Sequence, residues 1–282
     1  MGNSDQSGPN QELPPPSPTS SGRDSMFPFR AMEYIGGKVL QSATITYDYM
    51  KHLALTLRGM TRLRPGQVLD SCVSTGINAL PILCLTGFLM GLILAMRTTT
   101  QLQKFGASIY VADLVATSMT RAIGPLMTGI LVAGRSSSAF AAEVGTRKIN
   151  DEVAALETMS LDVHTYLFSP KFLATVMVMP FISLVTSLIG IFGGFMYSVT
   201  GFLVTPREYM FQTLQAIHYS DFLTGSFKAM VFGAIIALVG CVKGFGVVRG
   251  APQVGKAARG SVVLSIVLII IADAIFTAIF QT

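Results

Sequence analysis

The residues able to do chemistry in this chain are few and gathered. Charged side chains make up 12% of it. Arg147, Lys148, Asp151, Glu152 and Glu157 crowd into one short segment flanked by long apolar runs. Both signs of charge on a short helix outside the bilayer make a handle for a protein partner. The opposite reading, a solvated helix on the membrane surface, is equally compatible with the composition. Four further charges, Asp113, Arg121, Arg135 and Asp273, fall inside the apolar runs, where each costs a few kcal/mol unless paired or wet. They are expected either to form interhelical ion pairs or to line a path for a lipid headgroup. Met90, Leu94, Arg97 and Gln101 recur at helical spacing on one broad face. Arg97 sits where a guanidinium reaches a phosphate with paired hydrogen bonds, or simply reaches out to water.

Other chemistry is excluded. Cys72, Cys84 and Cys241 are scattered, with no disulfide or metal-site spacing. His52, His164 and His218 are equally dispersed, and no catalytic constellation forms around them. Gly250-Ala-Pro-Gln-Val-Gly-Lys-Ala257 nearly matches a phosphate-binding loop. That motif needs a hydroxyl in its last position and a strand before it. Ala257 and the apolar context argue for a turn, so no cofactor, nucleotide or metal site is expected.

The elements that position these residues follow from composition. Hydrophobic residues are 51% of the chain and the mean hydropathy is +0.57, whereas a soluble chain carries about 25% charged residues. Apolar stretches near 76–96, 107–142, 167–203, 223–249 and 261–280 each satisfy the ~20 residues a span requires. Their continuous hydrophobicity favours helices over an alternating β-barrel. The predicted fold is an all-α integral membrane protein. Five transmembrane helices are preceded by an amphipathic interfacial helix, with a coupling helix over 146–160 between the second and third spans. Lys and Arg gather before the first span, between the second and third, and between the fourth and fifth. The positive-inside rule then places the N-terminus in the cytoplasm and the C-terminus outside. The net charge of +5 therefore speaks of topology, not of nucleic acid.

Residues 1–29 are rich in Ser, Pro, Gly and Asn and are expected to be a disordered cytoplasmic tail. They have no signal-peptide core, and Gln6 spoils a myristoylation motif. Over 30–66, Ile35, Val39, Ala43, Thr46, Met50, Leu53, Leu57 and Met60 form one apolar stripe. Lys38, Lys51 and Arg58 lie off it, which suits a helix in the cytoplasmic interface. Pro65-Gly66 is expected to end that helix. Pro81 and Pro125, and Gly190, Gly193 and Gly194, permit kinks and close helix contacts. No internal repeat is visible, which disfavours an inverted-repeat carrier.

Several blocks together resemble the MlaE/YrbE permease family, the membrane subunits of ABC transporters that work with MCE-domain proteins. They are Phe105-Gly106-Ala107 with Tyr110-Val111 and Leu114-Val115; Arg121 with Gly124-Pro125; and Ala133-Gly134-Arg135 with Ser138-Ala139 and Ala142-Glu143-Val144-Gly145. Glu152, Ala155-Leu156, Met159, Leu161-Asp162 and Pro170-Lys171 follow, then Gly244-Phe245, Gly250-Ala251, Val254-Gly255 and Asp273. The match covers about residue 76 to the end, so 67–282 reads as the permease domain. Ala122, Ala154 and Val163 depart from the family's usual Glu, acidic residue and Pro. With that Glu missing, Arg121 is expected to find its partner at Asp113 or Asp273. The resemblance implies a bacterial inner-membrane subunit, itself not an enzyme, that moves phospholipid or a related lipid between the inner membrane and the outer envelope. Its implied partners are a cytoplasmic ABC ATPase, a periplasmic MCE-domain protein, a second permease copy in a homodimer, and the lipid; no nucleic acid is implied. It also assigns Glu143, Arg147, Lys148, Asp151, Glu152, Leu156, Glu157 and Met159 to coupling with the ATPase. An ion-coupled carrier using Asp113 and Asp273, or a scaffold without transport, remain the alternatives.

Overall fold

Inside a bilayer the backbone has no water to bond, so a spanning segment closes its own hydrogen bonds as a helix. The computed structural model describes residues 65–159, 163–201, 204–248 and 250–280. Among them five helical segments are long and apolar enough to cross a membrane: Gly66–Phe105, Ser108–Ile149, Tyr166–Thr200, Tyr219–Phe245 and Ala251–Phe280. The tail 1–29 and most of the predicted interfacial helix lie outside the described residues. Its last two residues belong to α1, Pro65–Thr75, with proline in the first turn, where its missing N–H costs nothing.

The first span is bent near its start. Gly76 and a short 3-10 turn, Ile77–Ala79, separate α1 from α2 (Leu80–Leu102). The second span is broken twice without leaving the helical path. α3 (Val111–Ser118), α4 (Gly124–Val132) and α5 (Ser138–Ile149) are joined by two single-turn π-helices, Met119–Ile123 and Ala133–Ser137. After α6 (Glu152–Thr158), the third span is α7 (Val163–Thr200), one continuous helix that contains Pro170 and Pro180. A short helix, α8 (Pro206–Ala216), leads to α9 (Tyr219–Phe245), and α10 (Ala251–Phe280) ends the described chain. The expected turn over 250–257 shrinks to one residue. Gly250 has φ +87°, and Ala251 already begins the fifth helix, ten residues before the apolar run that marked it in the sequence. The helix simply continues through Lys256 and Arg259, past the part that lipid covers.

The third span is the hub. It packs on the first, on α4 of the second and on the fourth, while the fourth also packs on the second and the fifth. Glycines set the closest approach. A Cβ on Gly91 would stand 1.7 Å from the Gly190 carbonyl oxygen, and one on Gly193 2.2 Å from that of Phe88. The first and third spans therefore touch backbone to backbone, as small residues permit in membranes. Leu83, Val132, Met179, Phe232, Ile236 and Ile269 fill the middle of the bundle. Ser137 and Ser265 hydroxyls meet at 3.0 Å, and Ser261 donates to the Ser137 carbonyl at 3.1 Å, so the second and fifth spans are stitched by buried hydrogen bonds. The fifth span is otherwise the least covered: 11% of its most apolar window is buried, against 56% for the fourth.

Candidate functional site

Two polar groups stand at opposite ends of the bundle. One lies where the second, third and fourth spans meet beside the 150–165 connection. Glu143 on α5 pairs with Arg147 one turn on, at 2.9 Å, and with Lys171 on α7. Lys171 is 8% exposed and also lies over the Phe140 ring, 5.1 Å from its centre. Lys148 donates to the carbonyl oxygen of Phe245, the last residue of α9. A cation at a helix C-terminus meets its unpaired carbonyls and the negative end of its dipole. Three spans are thereby bound together at this end by ionic contacts. A polar cavity of about 300 Å³ opens beside them, lined by Asp70, Ser71, Glu143, Arg147, Tyr166 and Lys171, among others.

The expected single helix over 146–160 is two pieces. α5 stops at Ile149, and Asp151 takes a left-handed conformation, φ 57°, which short polar side chains tolerate best. α6 then leaves in a new direction. Val153 and Leu156 are half-buried; Asp151, Glu152, Glu157 and Thr158 are exposed. Met159, which follows α6, is 69% exposed, an apolar side chain in front of a charged helix.

At the other end the intramembrane charges find partners, though not those expected for Arg121. Its guanidinium Nε lies 3.3 Å from the Asp221 carboxylate on α9. Asp273 instead receives Lys228 at 3.0 Å, and Lys228 also donates to the Thr277 hydroxyl at 3.0 Å. Asp113 accepts from Gln212 of α8 at 2.9 Å. Neither Asp113 nor Asp273 pairs with Arg121: Gln212 holds the first and Lys228 the second, while the Arg121 guanidinium also donates to the Phe280 carbonyl of the fifth span at 3.4 Å. Arg135 makes no interhelical ion pair among the described residues; it donates to the carbonyl of Asn78, in the bend of the first span. Asp221 and Lys228 were not singled out in the sequence. They lie seven residues apart, hence on one face of α9, and that spacing of opposite charges at the mouth of an apolar run is the signal that would have found them.

Both intramembrane arginines sit inside π turns: Arg121 in Met119–Ile123 and Arg135 in Ala133–Ser137. A π turn is a rare local widening of the helix, frequent at functional sites. On the proposed lipid face, Met90 and Leu94 are half-buried, while Arg97 and Gln101 are exposed. Leu94 packs against the cluster of Ala95, Val111, Val115 and Met119, so that part of the face is turned partly inward.

The family described as Permease MlaE matches residues 68–279, which takes in every described span. The chain belongs to the MlaE permease family. It is similar to a probable ABC transporter permease protein of Rickettsia bellii, 35% identical over 213 residues, 76% of this chain and 82% of the relative. It is also similar to the intermembrane phospholipid transport system permease protein MlaE of Haemophilus influenzae, 30% identical over 205 residues, 72% and 78% of the two chains. Protein TRIGALACTOSYLDIACYLGLYCEROL 1, chloroplastic, of Arabidopsis thaliana is 29% identical over 73% of this chain and 59% of its own length. This MlaE-family permease is a multi-pass membrane protein and a subunit of a lipid ABC transporter. Two of the blocks that carried the resemblance, Arg121 with Gly124-Pro125 and Ala133-Gly134-Arg135, coincide with the two π turns and their exits.

Proposed function

We propose that this permease carries phospholipid between the inner membrane and the outer envelope as one half of a homodimer. A cytoplasmic ATPase drives each half, and an MCE-domain protein receives or supplies the lipid outside. The N-terminus and the 150–165 connection lie in the cytoplasm and the C-terminus outside. Hydrolysis occurs on the ATPase, and this chain transmits its motion. The observation that carries the reading is α6: a short charged helix set off by the Asp151 turn, beside three spans joined through Glu143, Arg147, Lys148 and Lys171. A push on α6 reaches α5, and the ionic contacts pass it to α7 and α9 as one body. The polar cluster of Arg121, Asp221, Lys228 and Asp273 at the outer end supplies both charge signs for a headgroup. Arg121 is the member with the most exposed side chain, 41%. The face of Met90, Leu94, Arg97 and Gln101 adds an apolar wall and a second guanidinium.

The test is retention of the ATPase in the purified complex. Met159→Asp changes an exposed side chain, and Leu156→Asp puts a charge into a half-buried contact that tolerates none unpaired. Both are expected to strip the ATPase from a permease that still inserts. Normal ATPase stoichiometry with both variants would remove α6 from the coupling path. The lipid face has its own test. A photo-crosslinker at Met90 should capture lipid, and lose it when nucleotide is trapped on the ATPase, while one at Leu92 should not change.

A further inference from the structure

Between α7, α8 and the start of α9 lies a second cavity, of about 480 Å³. It is far from α6 and takes in none of Arg121, Asp221, Lys228 and Asp273. Its walls are nearly all apolar: Leu188, Ile191, Phe192 and Phe195 from the third span, Met210 and Leu214 from α8, Ile217 and Phe222 beyond it. Only Tyr209 and Thr213 bring polar atoms. The aromatic rings are ordered: Phe192 stacks on Phe195 at 6.2 Å, and Phe195 meets Tyr209 edge-on at 5.5 Å. Tyr209 is 1% exposed and sits against Gly194, where a Cβ would come within 2.9 Å of its hydroxyl. That hydroxyl donates to the Ile191 carbonyl at 3.5 Å, across the cavity wall. α8, its start fixed by the Thr205–Glu208 capping box, is held over the cavity at two points: Tyr209 to Ile191, and Gln212 to Asp113. The cavity is thus built into the fold, not left by a loose side chain.

Thr213 is the informative residue. Helical Thr and Ser in this bundle mostly turn their hydroxyls back to a carbonyl one turn earlier, as Thr86, Thr120, Thr175, Thr186, Ser187 and Ser198 do. Thr213 is 7% exposed, lines the cavity, and its hydroxyl has no partner among the described residues. The hydroxyls of Thr75, Thr99 and Thr128 share that state, but none of them borders a described cavity. A buried donor without an acceptor has lost its water and gained nothing in return. An apolar chamber with one free donor at its edge fits a ligand with a long hydrocarbon part and one acceptor at its head. The volume lies within the ~300–1,000 Å³ typical of small-molecule sites. The cavity lies beside the last third of the third span, Leu188 to Phe195, and against α8, which follows that span.

We infer that this cavity seats one acyl chain of a membrane glycerolipid, with the Thr213 hydroxyl donating to the ester carbonyl at the head of that chain. The inference stands or falls separately from the transport reading, because occupancy is measured on the full-length permease in vesicles without its partners. The chain has no tryptophan, so a single introduced one is the only indole reporter. Phe195→Trp places it in the cavity. Leu214→Trp, at a rim position 73% exposed, serves if the first variant fails to fold. Phe181→Trp, 71% exposed on the third span, reports ordinary surrounding lipid. The vesicles contain brominated diacyl phosphatidylcholine diluted into a dialkyl ether analogue, which lacks the carbonyl. Quenching at the cavity reporter should exceed that at Phe181→Trp at every dilution. Thr213→Val should reduce this ester preference by about fivefold, the scale of one net hydrogen bond. Cavity quenching that only tracks Phe181→Trp would overturn the inference, and so would a cavity reporter that brominated lipid does not quench, as when a helix of a second copy fills the space. If the preference is present, trapping nucleotide in the full complex tells a resident lipid, whose signal stays, from one in transit, whose signal changes.

Discussion

Taking away Lys228 alone would strand the Asp273 carboxylate in the fifth span, with its ionic partner gone. Lys228 has 4% of its side chain exposed and Asp273 16%, so little water reaches either. Breaking such a pair from one side costs about 3–5 kcal/mol, whereas replacing both partners by apolar groups is often neutral. Lys228→Met should therefore lower the unfolding midpoint in detergent sharply, and Lys228→Met with Asp273→Leu should recover most of it. A double variant as weak as the single one would mean that the pair holds nothing together. At the inner end, Glu143→Gln weakens the contacts to Arg147 and Lys171 without changing side-chain length. The expected result is a complex that keeps its ATP hydrolysis but loses much of its lipid movement, measured on the same reconstituted sample. At this scale the sequence is half legible. A charge inside an apolar run announces itself through its cost, which is why Asp113, Arg121, Arg135 and Asp273 stand out. Its partner does not, because which carboxylate comes nearest depends on how α9 packs against the second and fifth spans. Lys171 appeared only inside a family motif, though the structure puts it at the centre of the inner cluster.

Among the elements, the contact of the first and third spans is the most exposed to a single change. Gly91→Val places two methyl groups where the Gly190 carbonyl already stands. Overpacking of this kind costs ~1–3 kcal/mol and often more against rigid backbone. The variant should show a clearly reduced midpoint, while Gly255→Ala, with open space at its Cβ, should not. α8 responds to acid instead. The Thr205 hydroxyl and backbone N–H both bond the Glu208 carboxylate and hold its pKa below the ordinary 4.5. A carboxylate lowered on folding stabilises above its unfolded pKa and loses that effect as pH falls through its folded value. Hydrogen-exchange protection of α8 should therefore be level above about pH 5 and decline only below about pH 4.5. Glu208→Gln should abolish that acid step. The five spans were legible because lipid demands long apolar runs. Their ends were not, because hydropathy reports where lipid stops and not where a helix does; α10 runs on through Lys256 and Arg259. The division of the 146–160 segment was hidden as well, since a left-handed Asp151 leaves no mark on side-chain periodicity.

For the whole molecule, the uneven covering of the spans is the main fact. The fourth span is the most covered of the five, while the fifth shows Val263, Val267, Ile270, Ile271, Ile275 and Ile279 outward. On the homodimer reading, this face meets its copy. In a cysteine-free background, Ile271→Cys or Ile275→Cys should crosslink two permeases in the membrane, and Phe181→Cys on the third span should not. Crosslinking at Phe181 alone would place the dimer contact on the third span instead. Residues 1–29 are rich in Ser, Pro, Gly and Asn, and we propose that their deletion leaves insertion and assembly unchanged, as judged by the subunits that copurify.

The two π turns of the second span make its length adjustable. A residue deleted from an ordinary helix swings everything beyond it by about 100°, which in a packed bundle turns core faces outward. A π turn is in effect one residue too many, absorbed locally while the flanking turns keep their phase. Removing Gly134, which is exposed and has open space at its Cβ, should let Ala133–Ser137 relax into plain helix with α4 and α5 still facing their neighbours. Removing Gly129, in the middle of α4, should misface the rest of the span and block folding. Length changes in this span can therefore accumulate at Met119–Ile123 and Ala133–Ser137, the two places where an arginine is now displayed, and hardly anywhere else. Each of these arginines sits where the span can change length by one residue without turning its neighbours.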